Sequence, residues 1–136
     1  MPVDFFDAHK RHWEDAERLF GGQRWPNADQ LYGISAECGL KKLMMRFGMR
    51  LDADGSPGGA DKVHADRIWA RYESYRSGHP VGGSFALPTP NPFSDWNVSQ
   101  RYAHSSDVDQ TRAQSHRNAA QAVEGLVRQA QLAGLI

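Results

Sequence analysis

Residues 28–47 constrain the fold more than any other part of the chain. Ala28, Leu31, Tyr32, Ile34, Ala36, Cys38, Leu40, Leu43, Met44 and Phe47 recur at helical spacing but cover more than one face. A helix that is apolar nearly all round has to be enclosed by its neighbours, so this segment predicts a central helix. It starts near Pro26-Asn27 and ends with Gly48 just beyond. Gly33, Ser35, Ala36 and Gly39 lie inside it. Each glycine costs about 1 kcal/mol relative to alanine in a helix, and close packing against a neighbouring helix is the expected compensation. Lys41, Lys42, Arg46 and Arg50 crowd its last turns, where cations suit the negative end of the helix dipole.

Three further helical stretches surround this one in sequence. Over 4–20, Phe6, His9, Trp13, Ala16 and Phe20 recur at helical spacing, with Asp4 as N-cap and Gly21-Gly22 as stop. Over 62–77, Ile68, Tyr72 and Tyr75 form a stripe backed by Val63 or His64, closed by Gly78 and Pro80. Over 107–135, Ala119, Ala122, Val123, Leu126, Val127, Ala130 and Ala133 make an apolar face. A Gly-rich loop covers 52–61. A second loop covers 79–97, where Pro80, Pro88, Pro90 and Pro92 exclude a continuous helix. Phe85, Leu87, Phe93 and Trp96 predict that this second loop packs down onto the core. A short helical turn is expected over 98–104. Strand-like alternation and internal repeats are absent. The expected fold is a single all-α domain over 1–136, an up-and-down bundle of four main helices with a long Pro/Gly-rich loop before the last one.

The chain has 16 Lys+Arg against 16 Asp+Glu, so a basic coat over the whole surface is excluded, although a local patch is not. No apolar run approaches the roughly 18 residues of a membrane helix. The opening Met1–Asp7 lacks a basic and then apolar leader, so no signal peptide is expected. A single cysteine, Cys38, makes no internal disulfide, which fits a reducing cytoplasm. No cofactor is expected.

Local clusters carry the candidate chemistry. His9 and His12 stand at i, i+3 and would chelate a metal if a third ligand came from elsewhere, or are ordinary surface and boundary residues. Glu37 and Lys41 stand at i, i+4 in the favourable order for an ion pair. Glu37 either forms only that pair or anchors basic residues around a polar cleft. Residues 41–50 hold four basic residues and no acid, and residues 62–76 hold Lys62, Arg67, Arg71 and Arg76 against Asp66 and Glu73. This part of the chain could face phosphates while Trp69, Tyr72 and Tyr75 stack on bases, or it is a solvated face over an aromatic core. Arg101-Tyr102-Ala103-His104 joins a phosphate ligand to a general acid/base candidate. Asp107 could orient His104 or cap the last helix. Cys38 has no neighbouring histidine to activate it and reads as a small buried hydrophobe.

The stretch Asp29-Gln30-Leu31-Tyr32-Gly33-Ile34-Ser35-Ala36-Glu37-Cys38-Gly39-Leu40-Lys41-Lys42-Leu43-Met44 resembles the second helix of HEPN domains, which typically show an Ala-Glu-x-x-Leu-Lys core there. A preceding helix with Trp13 and Ala16, a third helix with His64 and Ile68, and an Arg-Tyr pair before a long last helix extend the resemblance over about residues 5–135. It implies a homodimeric helical bundle of a bacterial defence, toxin–antitoxin or nucleotide-linked system. Such a module contacts a nucleotide, an RNA or a partner protein. His64, Arg67, Glu37, Lys41 and Tyr102 are the expected binding residues. Nuclease members carry Arg-x(4–6)-His at the head of the last helix. Arg101 matches that arginine by position, but Ser106, Asp107 and Val108 occupy the histidine's places, and no arginine in the chain meets the spacing. The alternatives are a metal-independent ribonuclease with a displaced site, in which Arg101 holds the phosphate and His104, His64 or Tyr102 moves protons, and a helical metal-binding protein built on His9 and His12.

Overall fold

A computed structural model describes all 136 residues. Four α-helices form an all-α bundle: α1 (Phe5–Gly21), α2 (Trp25–Arg46), α3 (Ala65–Ser77) and α4 (Gln110–Leu132). Short 3₁₀ turns at Gly59–Asp61, Gly82–Phe85, Val98–Tyr102 and Ser105–Asp107 punctuate the connections. No helix is long and apolar enough to cross a membrane.

α2 is the hub: it alone packs extensively on each of the other three helices. Ala28, Tyr32, Ala36, Leu40 and Met44 are all fully buried. Residues four apart drift about 40° around a helix at each step, so these five sweep about 160° of α2. That sweep is why one stripe does not describe it and why three partners are needed to cover it. The two glycines expected to permit close approach do so against different elements. A Cβ on Gly39 would lie 2.7 Å from His9 Nδ1 of α1 and 2.8 Å from Val123 Cγ1 of α4. A Cβ on Gly33 would lie 2.1 Å from Cε2 of Trp96, so the partner there is the proline-rich loop rather than a helix.

That loop packs down as the aromatic residues predict. Phe85, Phe93 and Trp96 are buried, and Leu87 is half-buried. Side chains from the helices satisfy its backbone carbonyls. Tyr72 OH donates to Phe85 O at 2.6 Å, Trp69 Nε1 to Pro88 O at 2.9 Å, and Gln30 Nε2 to Val98 O at 3.3 Å. Trp96 Nε1 in turn donates to Asp29 O at 3.1 Å.

The helix starts depart from expectation in two places. α3 begins at Ala65 rather than Lys62. Asp61 is held by Arg71 Nη2 at 2.7 Å and Tyr75 OH at 2.5 Å, which pins the 3₁₀ turn to the flank of α3 and leaves His64 extended as N-cap. α4 begins at Gln110, and Asp109, not Asp107, accepts from the Arg112 amide at 2.9 Å. Val108 is extended and 5% exposed, and its burial separates the turn containing Asp107 from the helix. At the other end of the chain Asp4 caps α1 by accepting from the Asp7 amide at 3.0 Å. A clasp joins three helices: Arg117 of α4 donates twice to Glu17 of α1, at 2.7 and 2.8 Å, and Tyr32 OH of α2 donates to the same carboxylate at 2.7 Å.

Candidate functional site

The first turn of α3 and the loop residues beside it enclose a cavity of about 230 Å³ lined by Lys62, Val63, His64, Asp66, Arg67, Asn97 and Val98. Three of these side chains are basic and one is acidic. Lys62 and Arg67 are exposed and enter no ion pair, unlike Arg71 and Arg76 further along the helix, which are bound to Asp61 and Glu73.

His64 is held from behind. Glu37 of α2 is mostly buried and uses both of its oxygens, Oε1 toward Lys41 Nζ at 2.6 Å and Oε2 toward His64 Nδ1 at 3.0 Å. A carboxylate only accepts, so His64 Nδ1 carries the proton in that contact and Nε2 is the nitrogen left free. The Lys41 side chain is nearly buried, 7% exposed, and is not among the residues lining the cavity; its ammonium anchors Glu37. The helix start adds a favourable field for an anion, with Asp66 partly opposing it.

Lys41, Glu37 and His64 thus form a chain from the core to the cavity, which Arg67 also lines. Arg101, Tyr102 and His104 are not among its lining residues. Arg101 lies over the ring of Tyr102 at 4.9 Å, and both are exposed. His104 turns back on its own segment, with Nδ1 2.8 Å from Ser106 Oγ and accepting from the Ser106 amide at 3.2 Å. Asp107 therefore does not orient it. Trp69 and Tyr72 are buried and tied to the loop carbonyls, so neither presents a face for base stacking; Tyr75 is half-buried, with its hydroxyl tied to Asp61 and the Arg71 guanidinium over its ring at 5.5 Å.

His9 is buried with Nδ1 2.8 Å from Ser35 O, and burial depresses its pKa, as it does that of His12. No group of three or more His, Cys, Asp or Glu side chains is placed to hold a metal ion. Burial pushes the Cys38 thiol up to about 12, which makes it unreactive. A larger polar cavity of about 340 Å³ lies among Gln23, Arg24, Pro26, Asn27 and Ser105, but Arg24 is its only charged side chain.

Two groups were missed in the sequence. Asn97 lines the cavity from a loop 30 residues beyond Arg67, and no spacing rule joins the two. A cluster of buried Asp29 and His116 with the largely exposed Asp95 draws on three segments separated by 87 and 21 positions. No protein family, curated protein or solved structure matches the chain.

Proposed function

We propose that the chain is a HEPN-like helical binding module that takes a phosphate-bearing ligand, a nucleotide or an RNA, in the cavity at the start of α3. The observation that carries this reading is the convergence of Lys62, His64 and Arg67 on one cavity, with His64 oriented by Glu37. Arginine and lysine without carboxylate partners favour an anion, and Asn97 adds a neutral donor and acceptor for the rest of the ligand. Arg101 and Tyr102, exposed on the neighbouring segment, suit a longer strand that continues beyond the cavity. The reading includes a homodimer and a cytoplasmic setting in a bacterial defence, toxin–antitoxin or nucleotide-linked system.

Isothermal titration with inorganic phosphate, nucleotides and a short single-stranded RNA tests it. Binding should weaken with rising salt. A Lys62→Ala/Arg67→Ala double variant should lose about tenfold or more, the scale of one charge-assisted hydrogen bond. Equal affinity of the double variant and the parent would reject this site. Sedimentation gives the oligomeric state, and a monomer at all concentrations rejects the dimer.

One observation favours a second reading, a metal-independent ribonuclease. The Glu37–His64 pair has the form of a carboxylate-oriented imidazole, with Nε2 free to move a proton. It predicts RNA cleavage in the presence of chelator that is lost in His64→Ala and retained in His104→Ala.

A further inference from the structure

His116 of α4 is 1% exposed and takes no part in the cavity. Both of its ring nitrogens face carboxylate oxygens. Nδ1 lies 2.5 Å from Asp29 Oδ1 of α2, and Nε2 lies 2.8 Å from Asp95 Oδ1 of the loop. Both nitrogens have to donate, and only the imidazolium carries two N–H groups. Asp29, fully buried, also accepts from Gln100 Nε2 at 2.5 Å. Arg112 of α4 lies 3.3 Å from the other oxygen of Asp95 and also donates to its carbonyl. Phe93 stacks on the imidazole with ring centroids 5.2 Å apart. Phe93, Asp95, Trp96 and Gln100 are therefore all tied, directly or through Asp29, to one ring. The same segment supplies Asn97 and Val98 to the cavity wall.

We propose that His116 is a proton-dependent latch, which as imidazolium seats residues 93–100 on α2 and α4 and on losing its proton releases them. A neutral ring satisfies only one of the two carboxylates. The other is left facing a lone pair, and for Asp29 that means an uncompensated charge in the interior. Burial by itself favours the neutral ring. The hydrogen bonds and charges of Asp29 and Asp95 outweigh it and raise the pKa above the ordinary 6.5. Asp29 from α2 and Asp95 from the loop are the charged groups that bear on the ring. The latch's contribution to stability is therefore fully present below the ordinary value of 6.5 and is lost as pH climbs through the raised folded-state value. Its effect on ligand affinity rests on the phosphate reading of the cavity; the latch itself does not.

The test is a pH titration of the full chain, without ligand, labelled with ¹⁵N. The readouts are the His116 ring nitrogens, the Trp96 indole N–H and the Asn97 and Val98 amides, with helix content followed by circular dichroism. The latch requires a doubly protonated ring at pH 6.5 and a common midpoint for ring and loop signals while the helices persist. In Asp95→Asn, at a largely exposed side chain, ring and loop midpoints should move together to lower pH. A ring already neutral at pH 6.5 would overturn the proposal. So would loop signals that ignore the ring titration, midpoints unmoved in the variant, or no transition before the helices melt. Failure to bind phosphate would leave every one of these results unchanged.

Discussion

Replacing Gly33 by alanine adds one methyl group where the loop is keyed into α2. The new Cβ would stand 2.1 Å from Trp96 Cε2, 2.3 Å from Nε1 and 2.5 Å from Cζ2, all far inside contact distance. The ring is 1% exposed, and its N–H is committed to Asp29 O, so it has no free rotamer to retreat into. If the backbone yields, the cost is that of overpacking, about 1–3 kcal/mol. If the ring is expelled, the cost approaches that of deleting a buried tryptophan, about 3–5 kcal/mol. Better helix propensity returns about 1 kcal/mol. The net expectation in urea unfolding followed by circular dichroism is a loss of up to about 2 kcal/mol if the backbone yields and about 2–4 kcal/mol if the ring is expelled. A Trp96→Ala background decides the cause. With the ring gone, Gly33→Ala should become neutral or stabilising by up to about 1 kcal/mol. A wild-type-like Gly33→Ala variant, or one equally damaging without Trp96, would show that the Gly33–Trp96 contact does not govern this position.

Gly125 lies on the exposed side of α4 with nothing within 4 Å of a built Cβ, so Gly125→Ala should raise stability by up to about 1 kcal/mol in the same assay. Asp109→Ala should cost about 1 kcal/mol through loss of the α4 cap, while Asp107→Ala should change little. The hydrogen bonds from Arg117 to Glu17 hold its carboxyl below the ordinary range despite partial burial. That contribution is complete above about pH 4.5 and lost as pH falls through the folded-state value, so Glu17→Gln should flatten the acid limb of the stability profile. Cys38 should resist a thiol reagent at pH 8 in the native chain and react on unfolding, with the rate following denaturant.

The role of α2 was legible because burial on several faces leaves a pattern that one helix displays by itself. The Asp4 cap and the inward packing of Phe85, Phe93 and Trp96 were legible for the same reason: each is a local signal. What escaped was long-range. Gly33 announces a close approach but not its partner, and Trp96 sits 63 residues away on a loop with no periodicity. Asp29 and His116 look ordinary on their own helices; only the crossing of α2 and α4 makes them a pair. Within 62–76, Lys62 and Arg67 were separated from Arg71 and Arg76 by Asp61 and Glu73, whose contacts no charge count reveals. Arg101 and His104 were conspicuous in sequence because they stand only three residues apart, yet Arg101 lies in one 3₁₀ turn and His104 caps the next, and neither lines the cavity.

Amide and side-chain chemical-shift mapping during titration with inorganic phosphate and then a nucleotide is the decisive measurement for the proposed phosphate recognition at the start of α3. Saturable shifts centred on residues 62–67 with Asn97 and Val98, abolished in the Lys62→Ala/Arg67→Ala variant, are the predicted result. Shifts centred instead on Gln23, Arg24 and Ser105, or none at millimolar ligand, would contradict it.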